Sequence, residues 1–194
     1  MQEKTQINNL FPVFLKLEQM HVLLIGAGNV GIEKLSSILS NAPETRVTVV
    51  AKEVLPAFRA LAAKGNVKIY EAMYEPSFIH EADIIISTVN DIVLSTQIRN
   101  DAKEKGKLIN VADKPALCDF YLGSVVTKGN LKLAISTNGK SPTVAKRLKE
   151  VFNELLPDEL EEVLDNLQQI RNNLKGDFKN KVEKLNEITR ALVE

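Results

Sequence analysis

The chain contains no tryptophan, one cysteine and two histidines among its 194 residues. A single cysteine, Cys118, cannot form an internal disulfide, which is typical of proteins that stay in a reducing compartment. His21 and His80 are far apart in the sequence and distant from any cluster of cysteines or acidic residues. The sequence therefore predicts neither a disulfide scaffold nor a zinc site.

Net charge is absent too, because 25 lysines and arginines balance 25 aspartates and glutamates. A neutral chain has no general attraction to nucleic acid or to an anionic membrane surface, so we expect neither as a partner. No apolar run is long enough to cross a bilayer, and the N-terminus lacks the features of a signal peptide. These absences predict a soluble cytoplasmic protein.

The first two-thirds of the chain alternates short apolar segments with helical patterns. The predicted strands are His21–Ile25, Arg46–Val50, Val67–Tyr70, Asp83–Val89 and Leu108–Ala112. Strands that are apolar on both faces and separated by helices are typical of a parallel sheet covered on both sides. Right-handed crossovers then favour an α/β fold with a Rossmann-type, doubly wound parallel sheet.

After Asp113 the pattern changes to a predicted hairpin. Its strands are Tyr121–Thr127 and Leu131–Ser136, joined by a turn at residues 128–130. So small a sheet buries little apolar surface, and we expect this α+β region to pair with a second subunit.

The last part of the chain is predicted to be helical. Ser141 and Pro142 have the residue types of an N-cap and a first helical position, and Pro157 ends that helix. Two amphipathic helices follow, separated at Gly176 and carrying apolar residues that include Leu192. They form a predicted helical tail.

A glycine motif follows the first strand at once. In Gly26-x-Gly28-x-x-Gly31, the first glycine permits a tight turn, the second lets the backbone approach a diphosphate, and the third allows helix and strand to pack closely. The helix N-terminus beyond it offers free N–H groups and a positive dipole end. A strand before the motif and a helix after it favour dinucleotide binding over a simple tight turn.

The second strand lacks the acidic residue that usually binds the adenosine ribose. Its end reads Val50-Ala51-Lys52-Glu53, where Glu53 lies slightly too far along and Lys52 would suit a 2′-phosphate. The residues alone leave NAD and NADP both open.

Two further strand ends carry polar residues. Thr88 lies at the carboxyl end of the fourth strand, where open α/β sheets place their ligands, and Asp91 has the residue type of a helix cap. Asp113 ends the fifth strand on the same edge, where a carboxylate serves as a general base, binds a metal ion that enters a substrate, or simply forms a turn. Cys118 is interpreted as a small buried apolar residue.

A glycine-containing, cationic loop precedes the helix at Pro142. Ser136, Asn138, Gly139, Lys140 and Ser141 could bind carboxylates, although helix capping and a surface loop explain them nearly as well.

Five motifs together carry a resemblance to a known family. They are Phe11–Leu15 (FPVFL), Gly26–Gly31 (GAGNVG), Asn110–Asp113 (NVAD), Leu117–Phe120 (LCDF) and Ser136–Pro142 (STNGKSP). In this order and spacing they resemble the dehydrogenase/chelatase module of siroheme synthase and its stand-alone relatives, from about residue 10 to 156. The resemblance implies a homodimer that oxidises precorrin-2 to sirohydrochlorin with NAD. Some members also insert ferrous iron.

The resemblance also implies roles for residues. Asp113 corresponds to the shared acidic residue of dehydrogenation and chelation, and the turn with Asn29 and Val30 would hold the cofactor. Ala51 and Lys52 would flank the adenosine, and the loop from Ser136 to Ser141 would face the tetrapyrrole side groups. Asn138 stands where the family usually has glycine. The implied organisation is an NAD-binding domain at 1–113, a dimerisation region at 114–148 and a helical region at 149–194.

The sequence leaves two other functions open. One is an enzyme dominated by chelation, with a vestigial NAD site. The other is a dinucleotide-sensing regulator without enzymatic activity, whose helical tail binds a partner.

Overall fold

The computed structural model describes residues 8–174 and 178–190. Over these residues the chain divides into two compact units. The first contains residues 8–122 with Asn138–Lys140, and the second contains Gly123–Thr137 with residue 141 onwards. The further division at residues 113 and 148 stays a prediction.

The first unit is built on a parallel sheet. Within the described residues its strands are β1 (His21–Ala27), β2 (Arg46–Val54), β3 (Val67–Glu71), β4 (Ile84–Ser87) and β5 (Leu108–Val111). Their order is β3-β2-β1-β4-β5, with every neighbouring pair parallel. The order reverses direction between β1 and β4, which confirms the predicted doubly wound sheet.

Strand β1 forms the centre of this unit because both of its faces are apolar. Val22 and Leu24 pack into a cluster with Phe58 on one side, whereas Leu23 and Ile25 pack with Ile98 on the other. Successive strand side chains point to opposite faces, so one uninterrupted apolar segment contributes to two helix layers. Residues Val22 to Leu24 are fully buried.

Three α-helices of the first unit flank the sheet in the described residues: α1 (Asn29–Asn41), α2 (Pro56–Ala62) and α3 (Ile92–Glu104). The predicted cap of α3 is present, because the Asp91 carboxylate accepts hydrogen bonds from the backbone N–H groups of Val93 (2.7 Å) and Leu94 (3.1 Å). Such a cap contributes about 1 kcal/mol. Gly106 follows the helix in the left-handed region, with φ at 65°.

Each of the five predicted strands was wrong by one or more residues at a limit, and the differences in β2 and β4 affect the site. Strand β2 continues past Val50 to Val54, because the irregularity after Ile25 lets Ala27 pair with Val54. Strand β4 ends at Ser87, so Thr88 lies just beyond its carboxyl end.

The second unit contains the predicted hairpin followed by helices. Its described elements are β6 (Ser124–Lys128), β7 (Leu131–Ile135), α4 (Pro142–Leu155), α5 (Leu160–Asn173) and α6 (Phe178–Thr189). The hairpin starts at Ser124 instead of Tyr121, since Ser124 already pairs with Ile135, the last residue of β7. Gly176 and Leu192 lie outside the described residues.

The hairpin turn is tied to the beginning of α5. Asn130 donates from its backbone N–H to the Glu161 carboxylate (2.6 Å) and from its side-chain amide to the same group. Lys128 forms an ion pair with Asp158. These contacts hold a short sheet that has little core of its own. No helix in the described ranges is both long and apolar enough to span a membrane.

Candidate functional site

The glycine turn between β1 and α1 leaves no room for side chains at two of its positions. Gly26 has φ +102°, and a Cβ atom there would lie 2.4 Å from the Thr88 hydroxyl oxygen. A Cβ atom on Gly31 would lie 2.5 Å from the Gly26 carbonyl oxygen. The first and third glycines are therefore required by sterics, as the motif predicts.

Gly28, the middle glycine of the motif, has open space around it. Gly28 is exposed, and no heavy atom lies within 4 Å of the place where its Cβ would be. It is the N-cap of α1 and has no side chain to bind the first-turn N–H groups of Asn29 and Val30. An open, uncapped helix N-terminus fits an anionic group such as a diphosphate, because the N–H groups and the helix dipole both favour negative charge.

Four strands are aligned at this edge, where β4 and β5 end and where β1 and β2 continue for two and four residues more. Val50, Ile25, Ser87 and Val111 are register partners across β2, β1, β4 and β5. The residues that follow them directly include Ala51, Gly26 and Thr88, and Asp113 lies one residue further beyond β5. With neighbouring strands about 4.8 Å apart, this row spans about 14 Å. The structure thus places the predicted residues Ala51, Gly26, Thr88 and Asp113 along one edge of the sheet.

Thr88 contacts the glycine turn directly. Its hydroxyl donates to the Ile25 carbonyl (3.0 Å) and lies 3.3 Å from the Gly26 carbonyl, while its backbone N–H donates to Ile25 (2.8 Å). The hydroxyl also occupies the space that a side chain on Gly26 would need. Thr88 therefore holds the turn, and its predicted contact with the cofactor stays a prediction.

The residues predicted to lie beside the adenosine belong to β2. Ala51 is buried and its carbonyl accepts from the Ala72 N–H (3.0 Å), whereas Lys52 and Glu53 are exposed. Alternation along the strand places the Lys52 and Glu53 side chains on opposite faces. One cation and one carboxylate are thus both available near the end of this strand.

Asp113 lies in a strained turn after β5. Its φ is 59°, in the left-handed region that aspartate tolerates better than most side chains do. The turn is closed by the Lys114 N–H, which donates to the Val111 carbonyl (3.2 Å). The carboxylate is exposed, and the described residues give it no hydrogen-bond or ion-pair partner. A free carboxylate at this edge is available to a ligand.

Lys114 links the ends of β4 and β5. Its ammonium donates to the Val89 carbonyl (3.0 Å), just past Thr88. This cation lies directly after Asp113 in the chain and fixes the two strand ends to each other.

Sequence reasoning missed the residues that support the Asp113 turn. The Asn110 amide donates to the Phe120 carbonyl (2.9 Å), and the Cys118 thiol exchanges hydrogen bonds with the Val111 backbone. Burial raises the pKa of the Cys118 thiol, with a smaller contribution from the nearby Asp119 carboxylate. The interpretation of Cys118 as a small buried apolar residue was wrong in part, because the residue is only half-buried and its sulfur has polar partners. The LCDF motif was the one available signal.

The predicted substrate loop follows β7 and leads into α4. Ser141 caps this helix, since its hydroxyl accepts from the Val144 N–H (3.2 Å), and Thr137 exchanges two hydrogen bonds with the Ser141 backbone. Asn138 has φ 54° and Gly139 has φ 75°. Asparagine is among the few residues that tolerate this region, so it can stand where the resemblance implies a glycine. Substrate contacts by Ser136, Asn138, Gly139, Lys140 and Ser141 stay predictions.

The His21 side chain is hydrogen-bonded through both ring nitrogens within the core. The buried His21 ring lies 2.9 Å from the Glu81 carbonyl through Nδ1 and 2.8 Å from the Thr48 hydroxyl through Nε2. Because a carbonyl only accepts, Nδ1 carries a proton. In the described residues no three or more His, Cys, Asp or Glu side chains cluster in a way that could hold a metal ion.

The reversed strand order, the two steric glycines and the open N-terminus of α1 define a Rossmann-type dinucleotide-binding protein. Residues 13–124 match the family described as "Putative NAD(P)-binding", and because this match covers more than half of the chain, the protein belongs to that family. Residues 128–152 match a second model, described as "Sirohaem biosynthesis protein central".

Individual relatives agree with the match to the siroheme-biosynthesis model. The chain is 31% identical over 177 residues to the siroheme synthase of Psychrobacter cryohalolentis, covering 91% of this chain and 33% of that protein. It is 32% identical over 164 residues to siroheme synthase 1 of Klebsiella pneumoniae, covering 84% and 34% respectively. The chain thus spans about a third of the length of these curated relatives. These matches confirm the resemblance seen in the motifs.

A solved structure shows the same fold. The chain titled "SirC, precorrin-2 dehydrogenase" superposes with a TM-score of 0.74 at 24% identity, covering 92% of this chain and 89% of that one. At this identity the likeness supports the fold alone.

Proposed function

We propose that this protein oxidises precorrin-2 to sirohydrochlorin with NAD, in siroheme biosynthesis. One observation carries the proposal. An uncapped helix N-terminus that suits an anion and the exposed Asp113 carboxylate, which has no partner in residues 8–174 and 178–190, lie on the same sheet edge in a chain similar to siroheme synthases. Loss of two hydrogens from a reduced macrocycle requires a hydride acceptor and a proton acceptor, and this edge offers a place for each.

The cofactor would lie across the row of strand ends. The N–H groups of Asn29 and Val30 would bind the diphosphate, Gly26 and Gly31 shape the turn, and Gly28 leaves the approach open. Ala51 and Lys52 would flank the adenosine. When bound, NAD supplies the acceptor for the hydride. We propose NAD over NADP from the family resemblance.

Asp113 would accept the proton that leaves the macrocycle with the hydride. Its left-handed backbone holds it beyond the end of β5, and its carboxylate has no competing partner among the described residues. A positioned general base contributes about 10²–10⁴-fold in rate.

The loop before α4 would bind the substrate's periphery. Precorrin-2 carries many carboxylates, and Lys140 is exposed beside the polar residues Ser136, Asn138 and Ser141. Charge-assisted hydrogen bonds from such groups suit carboxylates.

The test is anaerobic incubation of the purified chain with precorrin-2 and either NAD or NADP, following NADH or NADPH and the sirohydrochlorin spectrum. Conversion with NAD, faster than with NADP, is the expected result. Tight NAD binding with no conversion by either cofactor would favour the dinucleotide-sensing regulator instead.

Iron insertion is a second proposed activity, favoured by the siroheme synthase names of the relatives and by the free oxygen ligands of Asp113. Ferrous iron would enter as a substrate. Adding it to the finished reaction should give siroheme faster than the spontaneous rate does. Iron insertion without any NAD reduction would support the chelatase-dominant alternative.

We also propose that the protein is a homodimer located in the cytoplasm. On α4 the apolar residues Val144, Leu148, Val151 and Leu155 recur at helical spacing and are 38–70% exposed. An apolar stripe of this kind is typical of an interface. Sedimentation at micromolar concentration should give a dimer, and replacing Val151 with lysine should shift it to monomer. A monomeric wild-type chain would contradict the proposal.

A further inference from the structure

The segment Cys118–Phe120 returns along the free edge of β5. The Asp119 N–H donates to the Ile109 carbonyl (2.8 Å), and the Ile109 N–H donates to the Asp119 carboxylate (3.1 Å). The Val111 N–H donates to the Cys118 sulfur (3.2 Å). Strand β5 is the last in the sheet order, so its outward N–H groups would otherwise lack strand partners. The Asp119 carboxylate and the Cys118 sulfur accept hydrogen bonds from these N–H groups instead of a further strand.

Asp119 is anchored from a second direction by α3. The Arg99 guanidinium binds its carboxylate in a bidentate manner, at 3.0 and 2.6 Å. Both side chains are mostly buried, with 22% and 24% of their surfaces exposed. This geometry favours a fixed position, because planar paired bonds restrict both groups. Asp119 therefore joins the helix to the edge strand.

The Cys118 thiol bridges the two sides of the Asp113 turn. Its sulfur lies 3.2 Å from the Val111 carbonyl and 3.4 Å from the Lys114 carbonyl, and its proton can go to either one. The raised pKa of the thiol, caused mainly by burial, keeps that proton in place. Val111 precedes Asp113 by two residues and Lys114 follows it at once, so one sulfur contacts both ends of the turn.

The turn needs such support because its backbone is strained. A residue with a side chain is strained in the left-handed region and persists there where its surroundings determine it. Asp113 has φ 59°. The residues around it are held by Cys118, by Asp119 with Arg99, and by the bond from Lys114 to Val89.

We propose that Cys118 and Asp119 are positioning residues, which hold the Asp113 carboxylate where it accepts the substrate's proton. This inference rests on the proposed function for its catalytic part. Its structural part, a turn fixed by the thiol and the Asp119–Arg99 pair, does not depend on turnover.

The test compares Cys118→Val with Cys118→Ser in the full chain. Valine is apolar, somewhat larger than cysteine and makes no hydrogen bond, whereas serine can donate to and accept from the same backbone groups. We expect kcat to fall about tenfold or more in Cys118→Val with little change in KM for NAD, since small misplacements of a reacting group cost up to about 10² in rate. Cys118→Ser should recover most of the loss.

Ile79→Val is the matched control. Ile79 is a fully buried residue of the same core cluster and lies outside the proposed machinery. It should lower thermal stability to a similar extent and leave kcat unchanged. This control separates loss of positioning from general destabilisation.

Hydrogen exchange of the peptide covering residues 110–120, measured without substrate, gives the second readout. The Val111 and Lys114 amides, which donate to the Cys118 sulfur and to the Val111 carbonyl, should exchange faster in Cys118→Val and at the wild-type rate in Ile79→Val. Unchanged exchange, or an unchanged kcat in Cys118→Val, would overturn the inference. If wild-type protein does not turn over precorrin-2, the proposed function fails, and exchange alone still decides whether Cys118 holds the turn.

Discussion

Two turns lie at the carboxyl edge of one sheet, and different interactions determine their conformations. The glycine turn after β1 is shaped by backbone sterics, since the Gly26 and Gly31 positions have no space for a Cβ atom. The Asp113 turn after β5 also contains a left-handed residue, but side chains from other segments hold it in place. A turn that presents N–H groups to a ligand needs small residues. A turn that presents a carboxylate needs an external support.

The largest effect should come from removing the charge at Asp113 while keeping its turn. Asparagine also tolerates the left-handed region, so Asp113→Asn should fold and bind NAD as the wild type does. Its kcat should fall about 10²–10⁴-fold, because the proton acceptor is gone. The measurement is anaerobic NADH formation beside an NAD titration. Weakened NAD binding would contradict the separate roles of the two turns, in which the glycine turn binds NAD and Asp113 accepts the proton.

A methyl group in the glycine turn should have the next largest effect. Gly26→Ala places a Cβ 2.4 Å from the Thr88 hydroxyl at a φ of +102°, and should cost about 1–3 kcal/mol in the free energy of unfolding. It should also weaken NAD binding. Gly28→Ala enters open space and should cost about 0.5 kcal/mol through its poorer N-cap. Urea unfolding of the two variants checks the order, and equal losses would contradict the steric account.

Thr88 offers a smaller test of how the glycine turn is held. Thr88→Val removes the hydroxyl bonded to the Ile25 carbonyl, which should cost about 1 kcal/mol in stability and weaken NAD binding. Thr88→Ser keeps the hydroxyl and should retain the affinity. If both variants bind NAD equally well, the hydroxyl does not support the turn.

The smallest effect is expected between the two turns, at Ser87. Its hydroxyl is fully buried in β4, and no hydrogen-bond partner for it is present in residues 8–174 and 178–190. Replacing Ser87 with alanine removes an unsatisfied group and should stabilise the fold by about 0.5 kcal/mol, with turnover unchanged. A clear loss of stability by thermal unfolding would show that the hydroxyl has a partner after all.

The sequence predicted the glycine turn better than the Asp113 turn for a physical reason. Gly26, Gly28 and Gly31 lie within one short segment, and their roles follow from the strand before them and the helix after them. The support of Asp113 comes from Arg99 and from Asp119, which lie 20 residues apart in the chain. No local pattern records a contact of that kind.

The strand limits, too, were missed where they depended on residues distant in the chain. The apolar segments located β1 to β5, because uninterrupted apolar runs between helices fit a buried parallel sheet. The extension of β2 to Val54 depended on its pairing with Ala27, and the start of the hairpin at Ser124 depended on Ile135. Both limits are set by a partner strand and not by the residues themselves.

The most direct test of the account is NADH formation from precorrin-2 under anaerobic conditions, measured side by side for the wild type and Asp113→Asn at saturating NAD. We expect NAD-dependent conversion by the wild type and a rate at least about 100-fold lower in the variant, with equal NAD affinity. Equal rates in the two proteins would contradict the role of Asp113. No conversion by the wild type would contradict the proposed dehydrogenase itself.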